Sequence, residues 1–145
     1  MITQLEALTR QAEKTHPIIQ CIIEHNRSRL GELLQTNDIN GLYPCRECDD
    51  YITPLIAAVI NHEEKIFNFL LQQGADPNIH SQKGWTPLHY VSISKAPLVF
   101  VKILLEAKAN PNAQNRIYRV TPLQIAAMNE RGDVMKELIS AVFNV

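Results

Sequence analysis

The chain has 145 residues, 46% of them hydrophobic, which is enough for a buried core and excludes wholesale disorder. Fourteen basic and fifteen acidic residues leave a net charge of -1, so bulk charge gives no reason to expect DNA, RNA or an anionic membrane as a partner. No run approaches the roughly 18 apolar residues of a membrane span. The opening MITQLEALTRQAEK lacks the basic start and apolar run of a signal peptide. Cys21, Cys45 and Cys48 make an odd set that does not suggest a disulfide scaffold. A cytoplasmic or nuclear protein is expected, and Asn26-Arg27-Ser28 is then a chance match to the glycosylation pattern.

Residues 1–14 come first in the chain. Ile2, Leu5, Leu8 and Ala12 form a helical stripe, expected to cap the open edge of the first unit. That unit starts at His16-Pro17-Ile18, continues through Leu33-Leu34 and closes at Asn37-Asp38-Ile39-Asn40. Next comes a long connection that contains Pro44 and Cys45-Arg46-Glu47-Cys48. From Asn40 to Thr53 it is five residues longer than the equivalent from Asn78 to Thr86. Thr53-Pro54-Leu55 opens a second unit. It recurs as Thr86-Pro87-Leu88 and Thr121-Pro122-Leu123, at intervals of 33 and 35 residues. Gly74-Ala75-Asp76-Pro77-Asn78 is echoed 34 residues later by Lys108-Ala109-Asn110-Pro111-Asn112. These markers divide the chain into four units, at about 15–48, 49–81, 82–115 and 116–145.

Each unit can be built from local chemistry. Thr before Pro is a helix entry: the hydroxyl caps free N–H groups, and Pro loses nothing in the first turn. Leu55 to Val59 predicts a short helix whose Ala57 and Ala58 let a neighbour approach. A second helix is predicted over Glu63–Gln72, with Ile66, Phe67, Leu70 and Leu71 at helical spacing and Gly74 to end it. Asp76 to Gly84 reads as a hairpin finger. The later second helices are predicted at Leu98–Ala107 and Asp133–Phe143. Neither helix of a pair buries enough surface alone, so stability is a sum over stacked neighbours.

With these linked motifs the chain resembles the ankyrin repeat from about residue 15 to 143. Gly84-Trp85-Thr86-Pro87-Leu88-His89 matches that family's start, and Ala126-Ala127 matches its small pair. The resemblance implies an all-α solenoid of stacked helix–turn–helix units with hairpin fingers. It implies a monomeric protein-interaction module that binds a protein partner on its concave face, with no catalysis and no cofactor. Carried over by position, the finger candidates are Asp49, Asp50 and Ile52; Gln82, Lys83 and Trp85; and Arg116, Ile117, Tyr118 and Val120. On the first helices they are Ile60, Asn61, Ile93, Ser94, Met128 and Asn129, with Ile23 and Glu24 from the degenerate first unit. Trp85, the single tryptophan, reads either as a binding anchor or as packing on a neighbouring finger. Tyr90 is expected to pack between repeats. His89 fills the family's His position, which hydrogen-bonds between repeats.

Two other implications stand beside this one. Trp85 with Lys83 could stack a nucleotide, although near-neutral charge and one Trp argue against it. Asn78 and Asn112 fill the turn position that an asparaginyl hydroxylase modifies in this family, each with a Leu eight residues before it (Leu70, Leu104). The turn gives Asn a structural role regardless. Cys45-x-x-Cys48 reads as free thiols on an extended finger, as half a zinc site that His16 or Cys21 would have to complete, or as a redox pair lacking the usual strand–helix context. No metal site is expected. The adjacent acids Asp49/Asp50 and Glu63/Glu64 read as a finger tip and a helix start.

Overall fold

The computed structural model describes residues 14–143; the expected cap over residues 1–14 lies, but for Lys14, outside them. The helices are α1 (Pro17–Ile23), α2 (Arg27–Leu33), α3 (Pro54–Ile60), α4 (Glu64–Gln72), α5 (Pro87–Ile93), α6 (Val99–Glu106), α7 (Pro122–Met128) and α8 (Gly132–Phe143). Strands β1 (Tyr43–Cys45) and β2 (Asp50–Ile52) pair antiparallel, with Tyr43 opposite Ile52 and Cys45 opposite Asp50. Among the described residues no helix is long and apolar enough to cross a membrane.

Each unit folds into an antiparallel helix pair. The inner helices α1, α3, α5 and α7 contact one another in series, and each packs on the outer helix that follows it. The helix entries are those the sequence encodes. Thr53 Oγ1 accepts from Ile56 N at 3.1 Å, Thr86 Oγ1 from His89 N at 3.4 Å and Thr121 Oγ1 from Gln124 N at 3.2 Å. In the degenerate first unit His16 takes over, its Nδ1 accepting from Ile18 N at 3.1 Å. Inner helices are buried almost all round: Leu55 to Val59 and Leu88 to Ser92 are closed off by repeats on both sides. Outer helices bury one stripe, Ile66, Phe67 and Leu70 on α4 and Phe100, Val101 and Leu104 on α6, and Phe67 meets Phe100 edge to face at 5.0 Å. The one-residue insertion with Pro97 is absorbed before α6, whose N-cap is Leu98.

The turns show where the fold works against local preference. His25, His62, Lys95 and Glu130 recur between the helices of successive pairs with φ of 59, 54, 58 and 57°, left-handed values that disfavour any residue with a Cβ. The turn after the outer helix has glycine in one repeat (Gly74, φ 99°) and Lys108 (φ 71°) in the next. The two positions should respond in opposite senses. Gly74→Ala is expected to cost about 1 kcal/mol, and Lys108→Gly to add about 0.5 kcal/mol after its greater unfolded-state entropy. Urea denaturation of both variants checks this. A loss of stability in Lys108→Gly would mean that its side chain contributes something other than strain.

The same turns are joined by an asparagine ladder. Asn40 Oδ1 accepts from Asp76 N at 2.8 Å, and Asn78 Oδ1 accepts from Asn110 N at 2.7 Å while its Nδ2 donates to Lys108 O at 3.0 Å. Both Asn78 and Asn112 are exposed, and Asn112 N donates to Asn110 Oδ1 at 2.9 Å within its own turn.

Candidate functional site

The fingers are locked to one another through the backbone of Lys83. On one side its N–H donates to Asp50 Oδ1 at 3.1 Å. On the other its carbonyl accepts from Asn115 Nδ2 at 2.9 Å, and Asn115 Oδ1 in turn accepts from Ile117 N and Tyr118 N. Gly84 makes this approach possible. It has φ 90°, and a Cβ there would lie 3.1 Å from Asn115 Nδ2. Asp50 also takes Tyr51 N at 2.7 Å and the Tyr90 hydroxyl at 3.1 Å, which ties the first finger to α5.

Asp50 and Ile52 are therefore corrections to the expected binding surface. They are 6% and 0% exposed and face the core, because both lie on the inward side of β2. Asp49, one residue earlier, sits in the turn at φ 51° with its carboxylate in solvent, 3.3 Å from Lys83 Nζ. Gln82 is exposed, and its N–H donates to Tyr51 O at 2.9 Å. Cys45 and Cys48 are free thiols on the long first finger, as expected, at a tight hairpin turn where Cys45 is buried and Cys48 half-buried. The Cys48 thiol hydrogen-bonds Cys45 and holds its pKa below the ordinary thiol value, while the same bond, then burial, pushes Cys48 up. His16 packs on Tyr43 with the ring planes tilted by 42° and caps α1, and Cys21 is buried with its thiol on Ile18 O. Among the described residues no three His, Cys, Asp or Glu side chains converge as metal ligands.

An open pocket of about 510 Å³ lies between these fingers and the inner helices α5 and α7. Five of the sequence candidates meet there: Lys83, Trp85, Ile93, Met128 and Asn129. Trp85 packs on a neighbouring finger, one of the two readings considered for it. It stacks on Tyr118 of the next finger, with centroids 5.8 Å apart and planes at 18°, and it walls the pocket. It also meets His89 edge-on at 5.4 Å. Met128 is 72% exposed and Ile93 41%, whereas Ile60, at the same register two repeats earlier, is half-buried against the core.

Tyr90, Ile125 and Cys48 also line the pocket, and none of them is among the candidates carried over by position. Tyr90 does pack between repeats, as expected, but one side of it faces the pocket. A signal existed at the fourth residue after each Thr: Ala57 there becomes Tyr90 and then Ile125, so this register grows apolar bulk toward the last repeats.

The remaining candidates do not line the pocket. Arg116, Ile117 and Tyr118 are exposed on the third finger. Val120 is half-buried, its carbonyl accepting from His89 Nε2 at 2.8 Å. Ser94 is fixed by its hydroxyl to Tyr90 O at 2.6 Å, and Asn61 by its Nδ2 to Ala57 O at 2.8 Å. Ile23 is half-buried and Glu24 exposed, on the far side of α3 from the pocket repeats.

Comparison with known proteins agrees with this architecture. A family model for ankyrin repeats (3 copies) matches residues 55–145. The fowlpox virus ankyrin repeat protein FPV031 is 33% identical over 123 residues, 83% of this chain and 36% of that protein. Another from the same virus, FPV024, is 34% identical over 88 residues, 60% of this chain and 15% of its own length. Alpha-latrocrustotoxin-Lt1a of Latrodectus tredecimguttatus is 37% identical over 107 residues, 72% of this chain and 7% of that toxin. The chain thus spans a small part of the length of these relatives.

Proposed function

The chain belongs to the ankyrin-repeat family, and from that premise we propose that it is an adaptor module. In this reading it holds a protein partner, without turnover, in the concave groove between its first and second fingers and the inner helices α5 and α7. One observation carries the proposal: Lys83, Trp85, Ile93, Met128 and Asn129, drawn from two repeats, converge on one open pocket whose floor is Tyr90 and Ile125. Side chains that could be buried elsewhere are held at its rim. Met128 is exposed at the pocket, and Tyr118, exposed in turn, stacks on the pocket wall Trp85; exposed apolar groups of this kind mark interaction sites.

Preorganisation supports the same reading. Asp50 and Asn115 clamp the backbone of Lys83 from both sides, so the fingers need little ordering when a partner arrives. The test is affinity capture from cell extract, comparing the chain with the variant Trp85→Ala/Met128→Glu after circular dichroism has shown both to be folded. At least one protein should be held by the parent and bound about tenfold to a hundredfold more weakly by the variant. Identical captures would place binding away from this groove.

A further inference from the structure

The net charge of -1 conceals an asymmetry that bears on which partner the groove accepts. From Pro77 to Asn129 the sequence contains six cations and a single acid, Glu106. Lys102, on the outer helix α6, lies 3.9 Å from Glu137, and Lys108 occupies the turn after α6. The other cations lie on the fingers and in the turn before α6. Lys83 lines the pocket, and Arg116 and Arg119 are exposed on the finger whose Tyr118 stacks on Trp85. Lys95 borders the adjoining recess with Met128 and Asn129, where Glu130 stands beside it. Among the described residues no carboxylate pairs with Arg116 or Arg119, and the Asp49 that meets Lys83 is almost wholly in solvent. An exposed pair of that kind is weak and readily exchanged for another carboxylate.

We propose that the groove takes an extended acidic segment of a partner protein, which sets one large apolar side chain among Trp85, Ile93 and Met128 and its carboxylates against Lys83, Arg116 and Arg119. This rests on the groove reading above and adds to it the chemistry of the occupant. The pocket supplies an apolar floor for an alkyl or aromatic side chain, and the finger end supplies unpaired guanidinium groups, which bind carboxylates in a bidentate fork. A nucleic acid would use the cations but has no side chain to fill the pocket. It would also need an open aromatic face, and one face of Trp85 is already covered by Tyr118.

Random peptides displayed on phage, selected against the full chain, test this directly. The selected set should pair a large apolar residue with neighbouring Asp or Glu. The best peptide, made synthetically, should quench or shift Trp85 fluorescence and bind about tenfold to a hundredfold more weakly to Arg116→Glu/Arg119→Glu, with the difference shrinking in high salt. Its binding should also fall with Met128→Glu. These four results together support the proposal. Peptides that depend on Met128 but show no preference for acids, or that bind the Arg variant equally well, overturn the acidic assignment and leave the groove reading standing. Failure to select any peptide, or selected peptides indifferent to Met128→Glu, overturns both. Displacement of the peptide by single-stranded oligothymidylate, with direct binding of that oligonucleotide, overturns the proposal in favour of nucleic acid. Arg116, Arg119 and Met128 are exposed, so the variants keep the fold.

Discussion

Asp50→Ala is expected to destabilise the array by about 3 kcal/mol, measured by urea or thermal denaturation. The carboxylate accepts three hydrogen bonds, from Tyr51 N, Lys83 N and the Tyr90 hydroxyl, at a position only 6% exposed. Truncation leaves the buried Tyr90 hydroxyl and the Lys83 amide without their acceptor. A buried donor that loses its partner costs about 1–3 kcal/mol, more than the net gain of the bond itself. Burial, reinforced by the negative charge of Asp50, pushes the Tyr90 phenol far above its ordinary pKa, so it remains a donor throughout the accessible pH range. Asp50→Asn keeps one oxygen but turns an NH2 toward a donor, and about half the loss is expected. Because the three donors belong to the first finger, the second finger and α5, the loss should be cooperative with Tyr90→Phe in a double-mutant cycle. A change below about 1 kcal/mol for Asp50→Ala would show that the bridge between repeats contributes little, and that stacking alone holds the fingers.

Acidification should weaken the fold through His89, and His89→Gln should flatten that dependence. The His89 ring is fully buried. Its Nε2 donates to Val120 O at 2.8 Å, and its Nδ1 accepts from Thr86 N at 3.1 Å, completing the capping box of α5. That geometry requires the neutral ring with the proton on Nε2. A second proton on Nδ1 would face the fixed Thr86 N–H. Burial accordingly lowers the His89 pKa, with the Val120 carbonyl opposing it in part, and burial lowers His16 in the same direction. The sign follows from linkage. Below the unfolded value of 6.5 the unfolded chain takes up protons that the folded chain resists, so stability is full above that pH and falls as pH drops toward the lowered folded values. Between about pH 8 and pH 5.5 a loss of about 1 kcal/mol per fully shifted pKa unit is the expected scale.

His89→Gln imitates the natural Thr121/Gln124 box, in which Thr121 N donates to Gln124 Oε1 at 2.8 Å. It should keep the helix entry, lose the Val120 bond and cost about 1–2 kcal/mol at neutral pH. An undiminished slope in that variant would transfer the acid sensitivity to other groups. His89→Ala, which removes both ends of the bridge and leaves a cavity, is expected to cost about 3 kcal/mol.

Read from the chain alone, the frame was legible because its signals are local and periodic. Thr-Pro entries at 53, 86 and 121, the small pair Ala57-Ala58 and the stripe Ile66, Phe67, Leu70 each act within a few residues, and each formed the element it predicts. The lining of the pocket was legible where repetition carries a register. Ile93 and Met128 share one, Lys83 and Trp85 share a finger, and all four meet at the pocket.

What the tertiary structure decided was burial at positions the period leaves free. Asp49 and Asp50 are the same residue type side by side, yet a turn and the pleat of a short strand send one to solvent and the other to the core. In the same hairpin Cys45 is buried and Cys48 only half-buried. Ile60 is half-buried and Met128 open at one register, because exposure there depends on how the neighbouring repeats cover it. Charge divides likewise. A chain of net -1 carries six cations and one acid from Pro77 to Asn129, and the stacking of Tyr118 on Trp85 brings the finger that carries Arg116 and Arg119 against the finger that carries Lys83. Composition sums charges over the chain, whereas a surface is built from residues far apart in sequence whose meeting depends on packing between repeats.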